Sequence, residues 1–313
     1  MPLPNFLIIG APKCGTTSLH FYLQQHPSLF MPVLKEPNFF SDIPPRNQYS
    51  GQMLEYYDRR FPIQSFQAYQ ALFDQAKEHQ AIGEASIAYL SENRAAERIY
   101  QVLPEVRMIV ILRNPVDRAF SSFQMCLRRQ QLAESFEDAL AKEETRRSEG
   151  WLWGHNFMWN GLYATHLETF FKLFPRDQFL ILFFEDLQKS PQETLKTIFH
   201  FLKIDSTVVA DTKTHYNPGG VPKSSILQTA YLTIERLVID DYPAKQAVKR
   251  ALPPWCLRSI DRTYRAWEGW YARQFFVKQQ LNPATRQHLV EIFRPEVERL
   301  EKLTGRGLSH WLR

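Results

Sequence analysis

The stretch FLIIGAPKCGTTSL, from Phe6 to Leu19, constrains this chain more than any other. A short apolar run leads into a glycine, then a loop, then two threonines that open a helical pattern. A buried strand, a tight turn and a helix start are written into that order. In such a unit successive backbone N–H groups and the helix dipole converge on one point, which favours an anion. Gly10 and Gly15 have the spacing of the phosphate loop GxxxxGK[ST]. Thr16, however, stands where the lysine belongs, and Lys13 lies inside the loop. A kinase or GTPase also needs a second-strand aspartate for its metal. The second strand here, RMIVILR, ends in arginine, and FLILFFED offers only Glu185 and Asp186.

Short apolar runs alternate with longer helical patterns along the chain, the mark of a parallel α/β architecture. Buried strands are expected at 6–10, 81–86, 107–113 and 179–185. Helices are expected at 16–25, 93–103, 115–130, 134–148, 161–173 and 190–203. Asn114-Pro115-x-Asp117 reads as a helix cap, a first-turn proline and an acid at the third position, and Ser190-Pro191-x-Glu193 repeats it. The proline- and aromatic-rich segment 31–66 is too irregular for regular elements, and a loop that long is usually functional or a lid. A second loop covers 214–225, and the rest reads as a helical section with a Gly305 stop. The fold expected is therefore a P-loop-type central parallel β-sheet flanked by helices. Residues 1–220 would form its nucleotide-binding core and 221–313 a helical C-terminal section of the same domain.

Charge is unevenly spread. Residues 221–313 hold 16 Lys and Arg against 9 Asp and Glu, so the basic excess belongs to the last third of the chain. These cations are interleaved with aromatic and aliphatic residues, as on a solvated helical surface, and no nucleic-acid motif accompanies them. Cys14, Cys126 and Cys256 are too few and too scattered for a disulfide framework or a metal cluster. No apolar run approaches the ~20 residues of a membrane span, and Met1–Asn5 carry no basic leader. The expectation is a cytoplasmic protein without an integral membrane segment.

In ILRNPVDRAFSSF, Arg113 falls at a strand end, a capped helix starts, and Ser121 follows about two turns in. An arginine beside a helix N-terminus is well set to hold a second phosphate bidentately. The alternative is a structural ion pair of Arg113 with Asp117 or Glu185. Two phosphate sites on neighbouring strands suit a nucleotide phosphorylated at both ends of its ribose.

PKCGTTSL followed by LRNPVDRAFSSF resembles the paired nucleotide signatures of sulfotransferases that use 3′-phosphoadenosine 5′-phosphosulfate (PAPS). The likeness is to the branch of heparan sulfate sulfotransferases and their bacterial relatives. It extends through KEPNFF, YYDRRFP, GEASIAYL, GLYATHLETFF and GRGLSHWL, almost the whole chain. The resemblance implies transfer of a sulfonate from PAPS to an acceptor hydroxyl, with 3′,5′-ADP (PAP) as product and no required metal. It implies that Lys13 lies against the bridging oxygen and that the loop Lys13, Cys14, Gly15, Thr16, Thr17 and Ser18 holds the 5′-phosphate, the Cys14 side chain packing beneath. Arg113 and Ser121 would hold the 3′-phosphate, with Lys223 closing over that end.

Glu36 of LKEPNFF occupies the place of the general base, and burial in a proline-aromatic loop would raise its pKa. The alternative is a surface carboxylate paired with Lys35. His20, His155, His166 and His215 are the other conceivable bases, and His20 is expected to pack. Glu84-Ala85-Ser86 departs from the resemblance, because relatives commonly carry a second lysine where Ala85 stands. Either Lys13 acts alone, helped by Lys35 or Arg118, or the acceptor is not a sulfated glycan. Trp151, Trp153 and Trp159 either stack on an acceptor or fill a core. Two rival readings stay open, an ATP-dependent P-loop kinase and a non-catalytic nucleotide-binding protein of the same fold.

Overall fold

The computed structural model describes residues 2–43, 45–48, 54, 57–58, 60–76, 79–151, 153–213, 219–235, 254–277 and 279–313. Residues 214–218 with His215, parts of the 31–66 segment and the Trp153 side chain lie outside what is described.

Strand β1 (Phe6–Gly10) runs through the loop into α1 (Thr16–Leu23), and a two-residue strand, β2 (Leu29–Phe30), follows. Helix α2 (Phe66–Ala71) precedes β3 (Ala81–Ala85); α3 (Ala95–Val102) precedes β4 (Arg107–Leu112). Helix α4 (Pro115–Arg128) leaves β4 directly. Then come α5 (Phe136–Ala141), α6 (Glu143–Ser148), α7 (Tyr163–Phe171) and β5 (Phe179–Phe183). Helices α8 (Phe184–Lys189) and α9 (Pro191–Leu202) complete the first two thirds. The C-terminal section holds β6 (Val221–Pro222), α10 (Ser225–Glu235), α11 (Pro254–Phe275), β7 (Phe276–Val277) and α12 (Pro283–Thr304).

Five strands form one parallel sheet in the order β2-β3-β1-β4-β5. All of β1, all of β3 and every residue of β4 but Arg107 are buried, which is why these strands read as unbroken apolar runs rather than alternating ones. The connection leaves β1 for β3 on one side and returns past it to β4 on the other. The crevice outside the carboxyl ends of β1 and β4 is thus a topological switch point, the place where such sheets bind ligands.

The four expected strands form, but three end early. Leu112 rather than Arg113 closes β4, and β5 stops at Phe183 because Phe184 already begins α8. The helix expected over 134–148 is two helices meeting at Lys142, which lies at φ −91 and ψ 0. The break accompanies an inward Glu143, whose carboxylate accepts the amides of Met158 at 2.7 Å and Trp159 at 2.8 Å. Helix α2, capped by the Ser65 hydroxyl, lies at the edge of the segment read as irregular. Asn114 caps α4 as the sequence indicates, its side chain accepting from Val116 and Asp117. Ser190, by contrast, makes no side-chain cap, although Pro191 does open α9. Gly305 ends α12 in the left-handed conformation at φ 66.

Gly83, in the middle of β3, faces the ring of Phe6 on β1, and a Cβ there would lie 2.2 Å from that ring. Neither the central strand nor a fully buried Phe6 has room to yield. Gly83→Ala is expected to cost about 1–3 kcal/mol by overpacking. A thermal melt followed by circular dichroism would lower its midpoint by several degrees, and an unchanged midpoint would refute this account of the β1–β3 packing.

Candidate active site

The loop leaves β1 with Ala11 donating its amide to Ile111 O of β4 at 2.8 Å, so the loop begins seated on the neighbouring strand. Lys13 and Gly15 both take left-handed backbone, at φ 68 and φ 86. Gly15 has a second reason to lack a side chain, because a Cβ would meet the Phe184 ring at 3.0 Å. From there α1 starts with Thr16 buried and Thr17 and Ser18 half-buried, its N-terminus closing the loop. The Cys14 thiol packs beneath, 4.0 Å from Tyr163 Oη, and burial pushes it up to about 11. It is a packing residue, as the sequence suggested, with only its backbone in the loop wall.

The Lys13 side chain crosses the loop to α4, where its Nζ lies 3.7 Å from Met125 Sδ. Burial, and then the charges of Arg128, Arg129 and Arg113, hold this ammonium down at about 7. Arg113 comes to the same loop from the end of β4. Its guanidinium donates to Lys13 O at 3.3 Å and lies 4.9 Å from the centre of the Phe184 ring. Neither suggested ion pair of Arg113 forms: Asp117 binds Arg286, and Glu185 accepts from Trp311 Nε1 at 3.0 Å. Around it, Tyr163 Oη donates to Arg113 O at 2.9 Å and Asn114 Nδ2 to Trp311 O at 3.1 Å. The C-terminal Trp311, buried against Tyr163 and Phe183, thus braces the turn that carries Arg113. Ser121, half-buried, lies one turn of α4 before Met125, on the stripe that faces the loop.

Glu36 sits in a turn built by its neighbours. Its backbone is left-handed at φ 63, its amide donates to Ala85 O at 3.0 Å, and Asn38 Nδ2 donates to its carbonyl at 2.7 Å. Asn38 itself donates from Nδ2 to Arg60 O and from its amide to Ser86 Oγ. The Glu36 carboxylate takes Lys35 Nζ on one oxygen and Arg60 Nη1 on the other, both at 2.5 Å. Burial alone would raise its pKa, as expected from the sequence, but the two cations more than offset burial and hold it at about 2. That expectation is corrected by Arg60, a partner 24 positions away. A carboxyl that burial does raise is Glu84, fully buried beside Tyr69 and pushed up to about 7.

The other expected contributors have partners of their own. Lys223 Nζ donates to Gln274 O at 2.8 Å, anchored to the end of α11. Arg118 is fully buried and donates to Phe157 O, and Lys35 is engaged by Glu36. His20 and His155 are buried in packing, and burial takes His166 down to about 4 against Trp159 O. Trp159 donates to Ser91 O and carries the Arg147 guanidinium on its ring at 4.1 Å, while Trp151 donates to Glu149. Two cations that sequence reading passed over, Arg128 and Arg129, end α4 beside Lys13. Their spacing from Ser121 along one helix was the available signal.

A phosphate loop with an internal lysine, joined by hydrogen bonding to a strand-end arginine, matches a described family over residues 3–217, the sulfotransferase domain. The chain belongs to the sulfotransferase domain family. It is 28% identical over 247 residues to human carbohydrate sulfotransferase 15, covering 64% of this chain and 44% of that protein. It is also 28% identical over 216 residues to the human bifunctional heparan sulfate N-deacetylase/N-sulfotransferase 2, covering 64% of this chain and 22% of that one. The chain therefore spans less than half the length of these curated relatives. The crystal structure of a sulfotransferase from Alicyclobacillus acidocaldarius superposes over 100% of both chains, with a TM-score of 0.73 and 28% identity.

The crowding around Lys13 has a measurable consequence. In the ligand-free sulfotransferase its ammonium is expected to lose its proton near pH 7 rather than near 10.5. Loop affinity for an anion then falls as pH rises through that point. Reductive ¹³C-methylation followed by NMR titration, with Lys13→Met to assign the signal, checks this. A midpoint near 10 would contradict the packing of Lys13 among Arg113, Arg128 and Arg129.

Proposed function

We propose that this sulfotransferase moves a sulfonate group from PAPS to an acceptor hydroxyl by in-line displacement, with Glu36 as general base. The observation that carries the reading is the hydrogen bond from Arg113 to Lys13 O, which brings two anion-binding elements edge to edge. A ligand phosphorylated at both the 3′ and 5′ positions suits that pair, whereas a nucleoside triphosphate has all its phosphates at one end. The loop and α1 N-terminus would take the 5′-phosphate on backbone amides and threonine hydroxyls, and Arg113 with Ser121 the 3′-phosphate.

Sulfuryl transfer depends on positioning and charge stabilisation more than on covalent help from the protein. The acceptor oxygen forms a bond to sulfur as the bond from sulfur to the bridging oxygen breaks, and PAP leaves. Negative charge grows on the bridging oxygen, where Lys13 would meet it. The acceptor proton passes to Glu36. Held at about 2, this carboxylate is ionised throughout the neutral range and so always able to accept, though weakly basic while both cations hold it. Its left-handed backbone is a cost that the surrounding hydrogen bonds overcome, and strain of this kind collects at functional sites. The names of the relatives support a carbohydrate as the acceptor.

Thermal-shift measurement gives the first test. 3′,5′-ADP is expected to stabilise the protein without Mg²⁺, and stabilisation by Mg-ATP alone would sink the reading in favour of a kinase. Arg113→Ala is expected to weaken 3′,5′-ADP while leaving 5′-AMP little changed; equal losses for both would remove Arg113 from the 3′-phosphate. Glu36→Gln is expected to lose roughly 10²-fold in turnover with labelled PAPS and a panel of glycans, the usual scale for a general base. Its affinity for 3′,5′-ADP should persist. Full turnover in Glu36→Gln would leave the base unassigned, and a protein inert with every acceptor would favour the non-catalytic alternative.

A further inference from the structure

Helix α4 presents a ladder to the loop. Ser121, Met125 and Arg129 follow one another at four-residue intervals, which places them on one stripe about 6 Å apart along the axis. The middle rung is fixed by contact, since Met125 Sδ meets the Lys13 ammonium at 3.7 Å. On the reading above, Ser121 belongs to the 3′-phosphate and Lys13 to the bridging oxygen between phosphorus and sulfur. A donor laid along the stripe in that order places its remaining group, the sulfonate, one turn further on.

The two arginines at that turn have different surroundings. Arg128 is buried to 5% exposure and stacks on Tyr231 at 5.8 Å and Phe276 at 5.5 Å. Gln228 of α10 ties down its carbonyl, so Arg128 belongs to the packing between α4 and the C-terminal section. Arg129 is the C-cap residue just past the helix, half-buried, with its amide still bonded to Met125 O at 3.0 Å. Gln130 then turns left-handed at φ 55 and the chain departs, which leaves the Arg129 side chain at the end of the stripe. The Lys13 contact with Met125 puts this stripe, and with it Arg129, on the side of the helix that meets the loop.

We propose that Arg129 is a donor-binding residue that holds the sulfonate of PAPS, one helical turn beyond the meeting point of Lys13 and Met125. The proposal rests on the assignment of Lys13 and Ser121 to the donor. It supplies a second cation at the transferring group where the β3 turn, Glu84-Ala85-Ser86, provides none. The guanidinium is planar and doubly donating, which suits a sulfonate oxygen pair and the charge spread over it during transfer.

Calorimetric titration of the full chain with 3′,5′-ADP and with PAPS separates the sulfonate from the rest of the ligand. Arg129→Gln is expected to lose about tenfold or more in PAPS affinity, the scale of one hydrogen bond to a charged group. Its affinity for 3′,5′-ADP should change by less than about threefold, because that ligand lacks the sulfonate. Arg129→Lys should retain most of the PAPS affinity. Equal losses for the two ligands, or no loss for either, overturn the proposal while the functional reading stands. Failure of the unmutated protein to bind either nucleotide overturns both. Arg129→Met, which removes the charge but keeps a helix-compatible side chain, provides the same comparison if the glutamine variant does not melt cooperatively.

Discussion

The ends of β1 and β4 are sewn together, and the rest of the site depends on that seam. Ala11 donates to Ile111 O, and two residues later Lys13 O receives the Arg113 guanidinium. Neither bond is long-range in space, yet each joins positions about a hundred apart in the chain. Parallel pairing makes this possible, since both strands point their carboxyl ends at one crevice. The bracing partners answer to the same seam. Tyr163 holds Arg113 O, Asn114 reaches Trp311 O, and Trp311 reaches Glu185, so helices α4, α7 and α8 and the C-terminus all meet behind one arginine.

Charge at the seam is arranged against the ligand-free state. Lys13, Arg113, Arg128 and Arg129 gather around a loop whose backbone already favours an anion, and the lysine is the group that gives up its proton most readily. A ligand bearing negative charge at both ends removes the repulsion and restores that proton, so binding and protonation are coupled. Pre-organised cations of this kind require no rearrangement when charge moves during the reaction. Their mutual repulsion without ligand is opposed by cation–aromatic stacking: Arg113 on Phe184, Arg128 on Tyr231 and Phe276.

What the sequence disclosed follows from the range of the interactions. Buried parallel strands announce themselves because both faces are covered, and the Asn114-Pro115 cap is a local device with a local signature. Lys13, Arg113 and Ser121 could be singled out because each belongs to a short motif. The Glu36 environment could not be read that way. Its proline-aromatic setting pointed to a raised pKa, and a guanidinium from Arg60 reversed the sign. The partner of Lys223 was equally out of view, since Gln274 O is 51 positions away. Arg129 was missed although its spacing from Ser121 was in view, because nothing local tells which stripe of α4 meets the loop. The contact of Lys13 with Met125 decides that.

The two acidic residues nearest this question, Glu36 and Glu84, have been driven to opposite ends of the scale, about 2 and about 7. A pair separated in this way often marks the acid and the base of a reaction. Here access argues against such a division. Glu84 is fully buried and meets Tyr69, so no substrate proton reaches it without opening the packing around it. Its environment serves Glu36 indirectly, because the same strand end supplies Ala85 O and Ser86 Oγ to the turn that carries Glu36 and Asn38. Of the two, only Glu36 is partly exposed, and its basicity is set by how firmly Lys35 and Arg60 are held. Arg60 is buried and fixed; Lys35 is half-buried and joined to Glu36 by a flexible stem. Loss of the Lys35 contact alone would therefore raise the basicity of Glu36 while Arg60 keeps the carboxylate in place.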